Sequence, residues 1–448
     1  MMSTTSQDIE FAPTSVMDRA GKVFFHGNRV YRAILSREDA EIYRDLLRRE
    51  WINEVFSQGL VRTWVSDDML LPGSFLTLEH EHIPFETHPA ENTSYMHWLS
   101  AKTLVRVCLA LSEKGFLLKD AHPWNVMFKM GSPVIIDFGS IVKSGRVSQG
   151  WLDEFRRYFA APVWLAHTRW HRYAAEYRRQ HGAGFAINAF ESRLPARTIF
   201  RGLNLLSRYL DAPTEFFSRL DCWLDKHKPV TVGKEVWADY QQSGASSDHL
   251  APDSPKQLFV LDILKGERPL KVLDFAANKG YYSVLAARLG ASVVACDYEP
   301  YCVDYCLSLA QEQKLPITPA LLDFSRPTPC YGIGLYGRNS YQRFRSDVVL
   351  ALGLVHHVCL RQRIPVEVFC DICLEYADKG VILEYVDAAD KHVASWNVPI
   401  PADYSIEGLT KFFSRKFPVL VMSQPITTDG LNRVMMYFGT RKEYDLSA

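Results

Sequence analysis

The sequence predicts an α/β protein with two domains, a doubly wound parallel sheet in the second half and an α+β domain in the first. Three observations lead to this prediction. The chain has 448 residues, which exceeds one ordinary hydrophobic core. Short apolar runs alternate with helical stretches in the second half, as they do in parallel sheets. A polar, proline-containing stretch at residues 241–255 is typical of a linker, and we place the domains at 1–235 and 236–448.

The first half combines short strands with longer helices. A turn at residues 26–28 separates two apolar runs and indicates a hairpin. The predicted elements are strands Lys22–Phe25 and Arg29–Ile34, helices within Arg37–Gln58, strands near Leu60–Trp64 and Ser74–Glu79, and a helix through Leu104 that ends at Gly115.

The second half begins with a helix. Ser254 is predicted as its N-cap, Pro255 as its first residue and Gly266 as its end. The predicted strands are Lys271–Phe275, Ser292–Cys296, Asp347–Leu352 and Gly380–Tyr385, followed by a closing hairpin of Val419–Ser423 and Arg433–Gly439.

The strongest functional pattern lies where the first two of these strands end. Asp274 comes near the end of one strand and is followed by the short turn Ala276–Gly280, which opens a helix. Asp297 ends the next strand, twenty-three residues after Asp274. Small residues in such a turn let a ligand approach the backbone, and an acid at this spacing accepts ribose hydroxyls. The pattern predicts a nucleoside site at the carboxyl edge of the sheet.

This stretch resembles the first motif of the class I S-adenosylmethionine-dependent methyltransferases, Asp-x-Gly-x-Gly-x-Gly. Here Ala276 and Asn278 replace two glycines; alanine is a mild change, and asparagine tolerates left-handed backbone. The resemblance implies that Asp274 and Gly280 line the methionine end, that Asp297 holds the ribose, and that Asp323 contacts the adenine amine. The implied cofactor-binding residues are Asp274, Ala276, Asn278, Gly280, Asp297, Asp323 and Leu354.

The stretch Asp347–Val358 matches the fourth-strand motif of the same family. Its His356 is the candidate catalytic base, because an imidazole titrates near neutral pH, and packing at the strand end is an equally weighted interpretation. For His357 we favour packing. The loop Pro327–Arg345 is predicted to cover the substrate, with Arg338, Arg343 and Arg345 as candidates for an anionic acceptor and Glu384 and Asp387 as further substrate-side candidates.

The segment at residues 117–140 resembles the catalytic loop of protein kinases and aminoglycoside kinases. Asp120 and Asn125 have the matching spacing, and Asp137-Phe138-Gly139 follows a short strand. In an active kinase these residues imply Asp120 as the base and Asn125 and Asp137 as ligands of magnesium bound to ATP. The chain departs from the family because it has no His-Arg before Asp120, no glycine-rich phosphate loop and no Val-Ala-Ile-Lys segment; Arg32 is the cation available near that strand.

The combination of the two halves resembles bacterial host-specific nodulation methyltransferases and relatives in natural-product and surface-glycan gene clusters. It implies methyl transfer from S-adenosylmethionine to a small-molecule or glycan acceptor, with the kinase-like half as a scaffold or acceptor-binding module. A bifunctional enzyme with an ATP- and magnesium-dependent first half is the alternative, and a binding protein is a third.

Composition sets limits on partners and location. Lys plus Arg and Asp plus Glu both total 51, so an attraction to nucleic acid or to a membrane is not expected. The nine cysteines lack the spacing of a disulfide scaffold or of a zinc motif, which favours buried free thiols and no metal. Without a basic and then apolar leader the chain is expected in the cytoplasm. The sequence does not indicate an oligomeric state.

Overall fold

The computed structural model describes residues 9–13, 15, 21–68, 70–168, 171–179, 202–229 and 254–441. The described residues form two compact units. The first unit takes those within 1–128, 132–231 and 330–338, and the second takes those within 129–131, 232–329 and 339–448. The predicted boundary at residue 235 and most of the predicted linker lie outside the described residues. Within the described ranges, no helix combines the length and the apolar composition needed to cross a membrane.

The first unit contains an antiparallel sheet of five strands. The strands are β1 Ile9–Phe11, β2 Gly21–His26, β3 Arg29–Ile34, β4 Thr63–Val65 and β5 Leu76–His80, in the order β1-β2-β3-β5-β4. β2 and β3 pair in the register Phe25↔Val30, and Gly27 in the turn between them has a positive φ of 57°, which glycine adopts without strain. The predicted hairpin is therefore present with the predicted turn.

The remainder of the first unit is mainly helical. Its helices are α1 Arg37–Arg48, α2 Ile52–Ser57, α3 Ser94–Ser112, α4 Gln149–Phe155, α5 Ala161–His167, α6 His171–Arg179 and α7 Pro213–Lys226, and its short strands are β6 Phe116–Leu118, β7 Val126–Lys129, β8 Ser132–Ile135 and β9 Ile141–Lys143. Aromatic side chains fill the core between α4 and α7: Trp151 lies edge-on to Phe216 and Phe217 and stacks on Phe155. This packing fixes α4, whose Glu154 accepts a hydrogen bond from the Ala121 N–H in the loop between β6 and β7.

Among the described residues, the second unit contains one sheet of seven strands. They are β10 Lys271–Phe275, β11 Ser292–Asp297, β12 Ile317–Leu321, β13 Ser346–Ala351, β14 Ala377–Val386, β15 Val419–Met422 and β16 Arg433–Gly439. The order is β12-β11-β10-β13-β14-β16-β15, in which β10 to β14 are parallel and β16 is antiparallel to both of its neighbours. This is an α/β fold, and the predicted strands and closing hairpin agree with it to within a few residues.

Helices connect the strands of this sheet and cover it. They are α8 Pro255–Glu267, α9 Tyr281–Arg288, α10 Pro300–Gln313, α11 Ser340–Arg343, α12 Val366–Tyr376, α13 Lys391–Ala394 and α14 Ile406–Phe413. Ser254 caps α8 as predicted, because its Oγ accepts a hydrogen bond from the Gln257 backbone N–H. The predicted stop at Gly266 is wrong: the helix continues to Glu267, and Arg268 takes the left-handed cap position at φ 47°.

The chain order reverses at β10, which lies between β11 and β13. Asp274 is in register with Ala295 of β11 on one side and with Leu350 of β13 on the other. Connections from neighbouring strands diverge at such a switch point, and the crevice at the carboxyl ends of the strands is where open α/β sheets bind ligands. The fold thus places the turn after β10 at this crevice.

Candidate functional site

The turn after β10 has an unusual backbone. Ala276, Asn278 and Gly280 have positive φ angles of 54°, 50° and 73°. Backbone hydrogen bonds within and beside it run from the Ala277 N–H to the Cys296 carbonyl at 2.9 Å and from the Gly280 N–H to the Ala277 carbonyl at 2.8 Å. Left-handed backbone costs a residue with a Cβ roughly 1–2 kcal/mol. The expectation that alanine is a mild replacement at position 276 is therefore wrong for the backbone.

Gly280 is required by packing as well as by conformation. A Cβ at this position would lie 2.9 Å from the Cys306 Sγ on α10. The Cys306 thiol also contacts the Asn278 carbonyl at 3.3 Å. Cys302 and Cys306 are both buried free thiols, and they pack beside the turn. Because both side chains pack against Asn278 in this turn, small and weakly polar residues suit the two positions.

Asp274 is buried inside this arrangement. Its side chain is 2% exposed, and its Oδ2 accepts a hydrogen bond of 2.6 Å from the Ser283 hydroxyl on α9. Burial raises the pKa of the Asp274 carboxyl to about 7, because a charged carboxylate loses hydration there and Ser283 compensates only partly. The carboxyl is thus poised to change charge near neutral pH.

Asp297 ties the end of β11 to the same turn. Its Oδ2 accepts from the Asn278 backbone N–H and its Oδ1 from the Glu299 backbone N–H, both at 2.9 Å. Burial raises the pKa of Asp297, and these backbone donors oppose that effect. The structure therefore brings Asp274, Asn278 and Asp297 together at one edge of the sheet.

Asp323 follows β12, the next strand along that edge. Asp297 is in register with Leu321, so Asp323 lies just beyond the same rim. Its Oδ1 accepts hydrogen bonds from the Ser325 N–H at 2.9 Å and from the Ser325 hydroxyl at 2.7 Å. These two bonds orient the Asp323 carboxyl within its own loop.

His356 and Leu354 lie on the other side of β10, after β13. His356 is 5% exposed, its ring stacks on Trp396 with centroids 5.6 Å apart, and its Nδ1 has no hydrogen-bond partner among the described residues. Burial, followed by the nearby His357, lowers the pKa of His356 to about 3, so its imidazole is neutral at physiological pH. Leu354 is buried, and the preceding Gly353 has a φ of 65°.

A buried ion network that the sequence did not reveal lies at the carboxyl end of β14. Glu384 is 1% exposed and pairs with the Lys256 Nζ at 2.5 Å and with Arg433 at 3.1 Å; Arg433 in turn pairs with Asp390 at 3.1 Å. Burial acts to raise the pKa of Glu384, but the two cations outweigh it and lower the pKa. The network connects α8, β14 and β16 beside the turn of Gly353, whose Cβ would lie 3.6 Å from the Glu384 Oε2.

The three loop arginines do not form one anion site. Arg343 is buried and lies over the Phe344 ring, and Arg345 pairs with Asp378 at 2.6 Å. Arg338 belongs to the first unit, where it pairs with Glu86. The loop at 327–345 is therefore divided between the two units.

In the first unit, an arginine pairs with the acidic residue after β8. The Arg32 guanidinium donates to the Asp137 Oδ1 at 2.8 Å, and it lies so close to Gly139 that a Cβ there would collide with it. Burial raises the pKa of Asp120, and the charges of Glu154 and Asp137 add to this effect. The Asn125 carbonyl accepts from the Ile136 N–H at 2.9 Å. Among the described residues, His, Cys, Asp and Glu side chains form no group of three or more arranged to hold a metal ion.

Comparison with known proteins gives one relative that matches nearly the whole chain. Nodulation protein NoeA of Rhizobium meliloti (strain 1021) is 27% identical over 445 residues, which cover 91% of this chain and 92% of the relative. This relative confirms the predicted resemblance to nodulation proteins. No family model matches the chain.

Solved structures match parts of the chain at low similarity. The bifunctional kinase-methyltransferase WbdD is 16% identical with a TM-score of 0.33, covering 47% of this chain and 43% of its own. The N-methyltransferase NodS from Bradyrhizobium japonicum WM9, in complex with S-adenosyl-L-homocysteine, is 12% identical with a TM-score of 0.32, covering 46% of this chain and 97% of its own. The chain spans less than half the length of the WbdD chain.

Proposed function

We propose that the second unit binds S-adenosylmethionine and that the chain transfers its methyl group to a small-molecule or glycan acceptor. One observation carries this proposal. The three positions at which the methyltransferase motif has glycine, here Ala276, Asn278 and Gly280, all have positive φ, although two of them are not glycine. The backbone shape of the motif is kept at a cost in strain, and strain of this kind is concentrated at functional sites.

The residues around the turn fit the chemistry of this cofactor. The only side chain among the described residues that donates to Asp274 is the neutral Ser283 hydroxyl, which suits a carboxylate that receives the α-ammonium group of a bound amino acid. In this proposal Asp297, at the end of β11, accepts hydrogen bonds from the ribose hydroxyls, and Asp323 accepts one from the adenine amine. Leu354 would supply apolar contact. The doubly wound sheet and its closing hairpin agree with the resemblance to class I methyltransferases.

In this proposal the protein acts mainly by positioning. S-adenosylmethionine, when bound, supplies a methyl group on a sulfonium centre, which an acceptor oxygen or nitrogen attacks in line. Holding the two groups in the correct geometry provides much of the acceleration. His356 is the proposed acceptor of the proton that the nucleophile loses. Its imidazole is neutral and can take a proton, and its lowered pKa of about 3 makes it a weak base.

Calorimetric titration with S-adenosylmethionine tests the proposal. Asp297→Asn removes the charge at the end of β11 and is expected to weaken binding at least tenfold, about 1.4 kcal/mol. Asp378→Asn is the matched control, because Asp378 lies near the opposite end of a strand in the same sheet and is 44% exposed. Absence of binding by the unmodified protein, or equal binding by Asp297→Asn, would contradict the proposal. Transfer of a radiolabelled methyl group to candidate small molecules and glycans would then identify the acceptor class.

For the first unit we propose a kinase-like fold that acts as a scaffold or acceptor-binding module. Its antiparallel sheet precedes a helical part that carries Asp120, Asn125 and Asp137, and the β3 cation Arg32 pairs with Asp137. The alternative is an ATP- and magnesium-dependent phosphotransferase. The Arg32–Asp137 pair disfavours it, because a guanidinium at 2.8 Å competes with magnesium for the carboxylate. The alternative requires magnesium-dependent ATP binding that Asp137→Ala abolishes.

A further inference from the structure

Residues 330–338 form a small closed loop that packs as part of the first unit. Along the chain this loop lies between β12 and β13. Tyr331 and Gly337 bridge its two ends, with the Gly337 N–H donating to the Tyr331 carbonyl at 2.8 Å. Leu335 and Tyr336 at its tip are exposed, Tyr336 by 63%. This bridge keeps the two ends of the loop together, so Tyr331 and Arg338 both lie at its base.

Tyr331 of this loop packs against an aromatic site in the first unit. Its ring stacks on Trp124 with centroids 5.0 Å apart and an angle of 18° between the planes. It also meets the edge of His88 at 4.3 Å, and its hydroxyl donates to the Glu86 Oε1 at 2.7 Å. Ring stacking and one hydrogen bond thus hold the Tyr331 side chain, and binding pockets hold small aromatic ligands by the same kinds of contact.

Arg338 binds the same carboxylate from the other end of the loop. Its guanidinium pairs with the Glu86 Oε2 at 3.5 Å and lies over the Phe25 ring, 5.3 Å from the ring centre. Glu86 therefore holds both ends of the loop. A half-buried carboxylate with a phenol and a guanidinium as partners provides stronger attachment than an exposed ion pair.

The residues that receive the loop come from three parts of the first unit. Phe25 is on β2 of the sheet, Glu86 and His88 lie between β5 and α3, and Trp124 lies between Asp120 and Asn125. The kinase resemblance places nucleotide and acceptor among these same parts. The Tyr331 ring covers Trp124, so a ligand that stacks on Trp124 beside Asn125 has to displace it.

We propose that the loop at 330–338 is an autoinhibitory element that keeps nucleotides out of the first unit, with Tyr331 as its anchor. This proposal rests on the kinase-like fold of the first unit and is independent of cofactor binding by the second. A site that is open in only a small fraction of molecules binds its ligand more weakly by that fraction. If the site is open in about 1 to 10% of molecules, the measured affinity for nucleotide is ten- to a hundredfold weaker than that of the open site.

The test measures binding of a fluorescent ATP analogue by the full chain without magnesium, because the Arg32 guanidinium already pairs with the Asp137 carboxylate. Tyr331→Ala removes the stack and the hydroxyl contact, and Glu86→Gln is a milder second variant that keeps the side-chain shape. Tyr336→Ala is the matched control, because it makes the same change at the exposed tip of the same loop. We expect Tyr331→Ala and Glu86→Gln to bind at least tenfold more tightly than the unmodified protein, and Tyr336→Ala to bind equally.

Hydrogen exchange of a peptide spanning residues 118–128 shows whether the loop has been released. It should be faster in Tyr331→Ala than in Tyr336→Ala, while a thermal melt confirms that each variant is folded. Equal nucleotide affinity in the unmodified protein and Tyr331→Ala would overturn the proposal, and so would no binding by either released variant. Neither result bears on S-adenosylmethionine binding, which is measured separately.

Discussion

Replacing Asp274 with asparagine should stabilise the second unit at neutral pH while weakening cofactor binding. The asparagine side chain would keep the shape of the aspartate and a carbonyl oxygen for the Ser283 hydroxyl, but it cannot ionise. In the folded protein burial raises the pKa of Asp274 from the usual 3.8 to about 7. The free energy of unfolding is therefore reduced at any pH at which the Asp274 carboxyl is ionised in the unfolded chain.

The sign and size of the effect follow from this pKa. Below about pH 4 the carboxyl is protonated in both states and contributes no penalty. Between pH 4 and 7 the unfolded state ionises and the folded state does not, so the stability that Asp274 contributes is lost as pH rises. The change in pKa from 3.8 to about 7 corresponds to at most about 4.5 kcal/mol, at roughly 1.4 kcal/mol for each pKa unit. The advantage of Asp274→Asn should therefore increase through this window and be constant above pH 7.

Calorimetric unfolding at pH 5, 6, 7 and 8 provides the measurement. The transition that S-adenosylmethionine shifts identifies the second unit, and Asp378→Asn serves as the control. Binding of the cofactor's ammonium group should favour ionised Asp274 and so release a proton near pH 7. The binding enthalpy should accordingly depend on the buffer in the unmodified protein and not in Asp274→Asn. A stability difference that is constant from pH 5 to pH 8, or a destabilised Asp274→Asn, would refute this account.

Three further predictions concern neighbouring residues. Ala276→Gly relieves the left-handed strain at φ 54°. After the entropy that glycine loses on folding is subtracted, it should stabilise the second unit by about 0.5–1 kcal/mol. We expect a higher melting temperature, and a lower one would contradict this prediction. Glu384→Ala removes one of the two carboxylates that pair with Arg433 and should cost about 1–3 kcal/mol in urea unfolding, whereas a loss under about 1 kcal/mol would show that the network contributes little. His356 should remain neutral from pH 8 to pH 5 in an NMR titration because burial lowers its pKa to about 3; a midpoint near 6.5 would show that it is hydrated.

Sequence patterns were sufficient for the sheet of the second unit and for one edge of its site. The parallel strands β10 to β14 are apolar runs with helices between them, a pattern that depends on local periodicity and on burial of both faces. Because the carboxyl ends of parallel strands share one edge, Asp274 and Asp297 were expected together, and the Asn278 N–H indeed joins Asp297 to the turn that follows Asp274. The conformation at Ala276 was less accessible, since alanine by itself gives no indication of left-handed backbone.

The sequence by itself identified the residues of the proposed nucleoside site and the strands whose carboxyl ends carry them. Which side chains meet depends on the three-dimensional packing: Lys256 pairs with Glu384 across 128 residues, Arg32 with Asp137 across 105, and the Tyr331 hydroxyl bonds to Glu86 across 245. Hydrophobic periodicity is a local property and can be recognised along the chain. A buried ion pair or a docked loop depends on where separate elements pack, and local sequence patterns do not predict those contacts.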